Sequence, residues 1–258
     1  MGIKERRVKI LLALYLLSSG EMTPVVFTQA VQLVFDLSFN QKTRGTLSAM
    51  MREGLIEKYV DGGSAANNAN GEEDRTKYRL TDKGWKNLCL EFPFFRFLFD
   101  KWDGRWRVLS YEIPEKKRDL RDRLRREVAG WGLGPWHRSF WLTPHPIVEN
   151  LRDLVAQKEE EKYIQAFESE HVFGDRQMLI EKVWGKSELE KKYRSMFKLW
   201  HDILSQDGEK PLKLQRVIGA YVELLRRDPG LPRELNGENW IGFEAFNIFK
   251  EIKAILLS

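Results

Sequence analysis

From Lys4 to Thr81 the chain reads as three helical stretches followed by two short alternating runs, an order that few architectures accommodate. Residues 4–17 contain neither Gly nor Pro and give way to Ser18-Ser19-Gly20, the composition of a helix C-terminus. Between Pro24 and Leu37, the side chains of Val26, Ala30, Leu33, Val34 and Leu37 fall on one apolar face, which predicts a second helix. Ser38 is placed to cap a third, with Gln41 three residues on to complete a capping box. Leu47, Met50, Met51 and Leu55 form the inner stripe of that helix, leaving Asn40, Gln41, Arg44, Ser48 and Arg52 outside. Residues 55–60 and 75–81 then alternate as the arms of a hairpin around a polar loop.

Three helices closed by a hairpin make a winged helix-turn-helix, and this predicts a DNA-reading first domain over residues 1–95. A third helix of this kind fits a major groove about 12 Å wide, where Asn and Gln bond adenine edges and Arg bonds guanine. Asn40, Gln41 and Arg44 are the expected base contacts, with Ser48 on the same face. Lys42, Arg52, Lys58, Arg75 and Lys77 are expected at phosphates, where they set register and affinity without reading sequence. The net charge of +5, from 43 Lys and Arg against 38 Asp and Glu, permits such a partner without requiring it. A competing reading makes the same polar face the solvated surface of a protein-interaction scaffold. It draws support from the loop at 61–74, whose Asp61, Glu72, Glu73 and Asp74 would be repelled by phosphates; the expectation is that this loop is disordered and points away.

Beyond Phe92-Pro93 the pattern changes. Residues 105–113 alternate as a strand stopped at Pro114, and Leu120, Leu124 and Val128 mark a helix over 115–129. A Gly-rich turn at 130–135, a strand over 136–142, a helix over 146–158 and a strand over 162–172 complete a ferredoxin-like α/β module. Farther on, Tyr193 and Trp200, Val217 and Tyr221, and Phe243 and Phe249 belong to apolar stripes at helical spacing, read as core, with a dimer interface or an aromatic-lined effector cavity as the alternatives. The predicted fold class is therefore α+β in three domains: winged helix at 1–95, ferredoxin-like dimerisation domain at 102–175, helical C-terminal domain at 176–258.

Other classes are disfavoured. A single cysteine, Cys89, cannot build an intramolecular disulfide or a multi-cysteine zinc site, and a reducing cytoplasm is the expected compartment. The apolar run at 10–17 resembles a secretion signal, but it is far shorter than the roughly 20 residues that span a bilayer, so it is read as a buried helix and no membrane partner is expected. There is no phosphate-binding Gly-rich loop ending in Lys-Ser/Thr and no Gly-x-Ser-x-Gly, and His137, His145, His171 and His201 lack metalloprotease spacing. No catalytic residue, metal or cofactor is assigned, and the chain is not expected to be an enzyme.

Four segments in order, Trp102-Asp103-Gly104-Arg105-Trp106-Arg107-Val108, then Glu115-Lys116-Lys117-Arg118-Asp119-Leu120-Arg121, Gly132-Leu133-Gly134 and Phe140-Trp141-Leu142-Thr143-Pro144, resemble the PaaX family, repressors of phenylacetate catabolism. Asp228-Pro229-Gly230-Leu231-Pro232, followed by Leu235 and Trp240, is similar to that family's C-terminal signature, so the resemblance runs along essentially the whole chain. It implies a homodimeric transcriptional repressor on double-stranded operator DNA, a central domain shaped like the small CRISPR adaptation protein, and release from DNA by phenylacetyl-CoA or another aryl-CoA, an acyl-CoA effector rather than a cofactor. It also opens an enzymatic alternative. In the CRISPR adaptation proteins an Asp at the end of the first strand is associated with metal and nuclease activity, and Glu112 stands there in this chain; the alternative reading of Glu112 is an ordinary strand-end carboxylate.

Overall fold

The first helix, α1 (Ile3–Leu17), buries Val8 and every residue from Ile10 to Leu16. A helical segment apolar on all sides must be packed on all sides, and the stretch of this helix from Ile10 to Leu16 lies in the interior of its unit. Its C-cap, Ser18, gives its backbone carbonyl to the Lys253 ammonium at 2.8 Å. The resemblance to a secretion signal thus reflects a core helix. Among the described residues no helix is long and apolar enough to cross a membrane.

The computed structural model describes residues 2–18, 22–59 and 76–257. Following α1 come β1 (Val25–Val26), α2 (Gln29–Val34), α3 (Gln41–Arg52), β2 (Ile56–Tyr59), β3 (Lys77–Leu80) and α4 (Asp82–Glu91). The strands form one antiparallel sheet in the order β1-β3-β2. Two expectations need correction. The second helix does not begin at Pro24: Val25 and Val26 pair with Tyr78 and Lys77, as β-branched neighbours favour, and Thr28 caps the shorter helix by accepting from the Val31 N–H at 3.3 Å. The third helix is capped by Asn40, whose Oδ1 accepts from the Thr43 N–H at 3.1 Å, so Gln41 is its first residue and no capping box forms. Ser38 contributes its backbone carbonyl instead, accepting from the Thr43 hydroxyl at 2.7 Å. Arg75 and the loop at 61–74 lie outside the described residues.

The next elements are β4 (Trp106–Tyr111), α5 (Arg118–Gly130), β5 (Gly134–His137), β6 (Phe140–Thr143), α6 (Val148–Val155) and β7 (Ile164–Ser169). Element order β-α-β-β-α-β with spatial order β5-β6-β4-β7, antiparallel throughout, is the split β-α-β arrangement. The single strand expected over 136–142 is a tight hairpin, β5 and β6, turning at Arg138-Ser139. One sheet face, with Leu109, Tyr111 and Trp141, packs on Leu124 and Val128 of α5 and Leu151 of α6. On the other, Trp106 and Leu142 are covered by Ile180 and Val183 of α7 (Arg176–Trp184), while Phe140 and Phe167 remain 42% and 53% exposed.

The remaining helices are α8 (Lys186–Ser205), α9 (Lys210–Leu225), α10 (Arg233–Asn236) and α11 (Ile241–Leu257). Their expected stripes are buried at Tyr193, Trp200, Val217, Tyr221, Phe243 and Phe249, while Leu204 near the end of α8 is 37% exposed. The chain divides into two units, 1–89 with 200–220 and 248–258, and 90–199 with 221–247, so these helices supply residues to both. Within the first, Trp200 donates its indole N–H to the Val217 carbonyl at 3.1 Å, its ring 6.5 Å from that of Phe249.

Candidate nucleic-acid interface

At about 100° of turn per residue, Gln41, Arg44, Gly45, Ser48 and Arg52 share one arc of α3. All five are exposed, and Thr43, Thr46, Leu47 and Met50 on the opposite side are buried. Two turns of burial therefore fix the helix while its outer surface stays free. The Arg44 guanidinium lies 5.2 Å above the Phe39 ring, which stacks on Phe27 at 6.0 Å, so an aromatic pair orients the charged head. Gly54, at φ +71°, turns the chain out of α3 and into β2 in a conformation that side-chain-bearing residues resist.

Lys42 is exposed on the flank of α3, Lys58 is exposed in β2, and Lys77 is half-buried in β3 opposite Tyr59 and Val26. Among the described residues no carboxylate lies within ion-pair distance of Lys42, Arg44, Arg52 or Lys58. Other cations of this unit are already committed: Arg7 to Glu53, and Arg79 to Glu57. The hydrogen bond from Arg7 holds the Glu53 carboxyl below its ordinary pKa. Asn40 is exposed, but its side-chain oxygen is occupied by the cap, so a two-pronged contact with an adenine edge would cost α3 its N-terminal bond.

Sequence reasoning missed a concavity of about 270 Å³ beside α3, lined in part by Thr28, Gln29, Gln32, Phe39, Arg44 and Thr76. Its polar groups sit next to Arg44 and extend the hydrogen-bonding surface beyond the third helix. Thr28 was recognisable as a cap residue before an apolar helical run, had the second helix been started later.

The second unit carries different polar chemistry. Arg107, 4% exposed in the centre of its sheet, donates from Nη1 to Asp103 and from Nε to Glu168, each at 2.9 Å, and from Nη1 to the Pro144 carbonyl at 3.2 Å. Hydrogen bonding from Arg107 leads the lowering of the Asp103 pKa. Asp103 also accepts from the Arg105 N–H at 3.0 Å across Gly104, at φ +79°. The Trp-Asp-Gly-Arg-Trp-Arg segment is thus a turn that delivers a carboxylate to a buried guanidinium. Asp228 is buried as well, accepting from the Tyr193 hydroxyl at 2.7 Å and the Gly230 N–H at 2.8 Å; burial raises its pKa. Glu112 is exposed just past β4, where its backbone N–H donates to the Tyr163 carbonyl at 2.9 Å. Among the described residues no group of three His, Cys, Asp or Glu side chains could hold a metal ion.

A split β-α-β sheet followed by helices defines the class to which the second half of the chain is similar: residues 100–180 match the PaaX protein central Cas2-like domain, and residues 184–258 match the PaaX-like protein C-terminal domain. The chain belongs to the PaaX family. Among solved structures it is similar to the uncharacterized protein Rv0674 from Mycobacterium tuberculosis, at 19% identity and TM-score 0.49, over 99% of this chain and 97% of that one. No curated protein matches it.

Proposed function

We propose that this PaaX-family chain is a transcriptional repressor that binds operator DNA as a homodimer through an N-terminal winged helix-turn-helix. The observation that carries the reading is the outer arc of α3, where Gln41, Arg44, Ser48 and Arg52 stand exposed beside an unpaired Lys42 and above a buried apolar underside. In this reading α3 enters the major groove, Arg44 and Gln41 meet base edges, and Lys42, Arg52, Lys58, Arg75 and Lys77 meet phosphates. Thr28, Gln29 and Thr76 join the footprint through the concavity beside Arg44.

The domains divide the work: 1–95 reads DNA, 102–175 pairs two copies, and 176–258 supports both. Pairing is supported by the uncovered part of the central sheet, where Phe140 and Phe167 share a face with Val108 and are open to a second copy. A symmetric pair of recognition helices calls for inverted half-sites about one helical turn apart or a multiple of it. An aryl-CoA effector releases the dimer by binding the DNA-free state more tightly than the DNA-bound one. Selection from random duplexes by gel shift at physiological salt tests the reading. Enrichment of an inverted repeat is expected, and a pool that stays random or never shifts would defeat it.

A further inference from the structure

Glycine is the poorest helix former after proline, because its backbone has the most freedom to lose. Gly45 nevertheless stands inside α3, exposed on the outer arc, with Gln41 one turn before it and Ser48 and Ala49 one turn after. Neither ordinary reason for a glycine applies. Its φ is not positive, unlike that of Gly54 just past the same helix. Packing does not exclude a side chain either: apart from its chain neighbours and the helix's own backbone, no atom lies within 4 Å of where a Cβ on Gly45 would stand. Gly84 of α4 gives the contrast, since a Cβ there would run into the Leu55 carbonyl. The free protein thus gains nothing from a glycine at 45, and the gap it leaves belongs to the face turned toward a partner.

The surroundings of the gap narrow what fills it. Arg44 lies about 100° away round the helix, and its guanidinium is held 5.2 Å from the centre of the Phe39 ring. The Thr46 hydroxyl is turned back to the Lys42 carbonyl at 2.8 Å. What remains at the floor is carbon, the Gly45 Cα and the methyl of half-buried Ala49. A carbon-floored recess suits an apolar knob, and in the major groove of standard DNA that knob is the 5-methyl of thymine.

We propose that Gly45 is a specificity-determining residue of the DNA-reading helix, seating one thymine 5-methyl of each half-site against its Cα and the Ala49 methyl, beside the base that Arg44 bonds. The inference rests on the repressor reading and adds to it a base that no polar side chain of α3 reads. Anisotropy titrations of the full-length protein on its selected duplex test it, with deoxyuridine replacing thymine one position at a time so that only the methyl is lost. At one thymine of each half-site, wild type should weaken about fourfold, the worth of one buried methyl. Gly45→Ala fills the gap. It should bind the thymine duplex at least about tenfold more weakly and should bind the deoxyuridine duplex better than the thymine one, a reversal of preference that a structural role would not produce. The same variant should melt roughly 2–4 °C above wild type, because alanine is the better helix former. Undiminished binding of the thymine duplex by Gly45→Ala, a preference that does not reverse, or a melting temperature no higher than that of wild type would overturn the proposal. A wild type that selects no sequence removes the repressor reading and this contact together, whereas selection without a methyl-sensitive thymine removes the contact alone.

Discussion

His145 stacks on Phe97 at 4.9 Å, and its Nε2–H donates to the Pro229 carbonyl at 2.6 Å, with 1% of the residue exposed. Burial first, then the Arg96 and Arg107 charges, pushes its pKa down from 6.5 to about 3. The unfolded chain therefore takes up a proton near pH 6.5 that the native state refuses. Stability from this group is complete above that pH and is lost as pH falls toward 3, by up to several kcal/mol. Urea melts of His145→Gln should show a flatter acid limb between these values than wild type; an unchanged limb would clear His145 of the effect. The Arg107 network makes an asymmetric prediction. Asp103 and Glu168 are both partly exposed and can rehydrate, whereas the guanidinium cannot. Asp103→Ala leaves Arg107 its Glu168 partner, so the double replacement Asp103→Ala with Glu168→Ala, which strands a buried cation, should cost about 3–5 kcal/mol, and Arg107→Met should cost less. Denaturation midpoints with the opposite order would refute that account. Alternation in the sequence had set Arg107 among the polar neighbours of a strand, because a pattern of residue types records polarity and not the partner that makes burial tolerable.

Element by element, what was legible followed from local periodicity. The outer arc of α3 and the stripes of the C-terminal helices are where spacing put them, since their side chains pack within a few turns of their own backbone. The misplaced features depend on distant partners. Val25 and Val26 are extended because β3, some fifty residues on, offers them a ladder, and a helical period in the residues that follow could not reveal it. The hairpin at Arg138-Ser139 lacks the Asn-Gly or Gly signal that announces tight turns, so β5 and β6 read as one strand. Cap choice is decided by geometry as well as type: Ser38 and Asn40 both suit the role, and Asn40 fills it. Asn40→Ala should therefore cost about 1 kcal/mol and Ser38→Ala nearly nothing; equal losses in guanidinium melts would return the cap to Ser38. That Lys42, Arg44, Arg52 and Lys58 stand exposed was readable residue by residue, while the concavity around Thr28 and Thr76 was not, because it is assembled from β1, α2 and the end of the hairpin.

For the whole molecule, the chain crosses between its two units within helices, and 200–220 and 248–258 complete the unit that 1–89 begins. A fragment ending at residue 95 would expose the Ile10–Leu16 stretch of α1, apolar all round, and should lack a cooperative thermal transition that the full chain shows; a sharp melt of the fragment would show that 1–95 folds alone. On selected DNA, Arg44→Ala should lose about 1–3 kcal/mol and relax preference at one base position, whereas Lys58→Ala should weaken every sequence evenly and reduce the salt slope by about one. Fluorescence anisotropy at several salt concentrations separates these roles, and equal losses for Arg44→Ala on specific and random duplexes would end the assignment. Finally, β7 closes its sheet on one side and is exposed from Gln165 to Ser169, leaving its outer main-chain groups bare. Such a border is a template for further strands, so a concentrated sample in which nothing covers it should be prone to fibrous stacking, and shelf life becomes a sensitive gauge of how completely that margin is shielded.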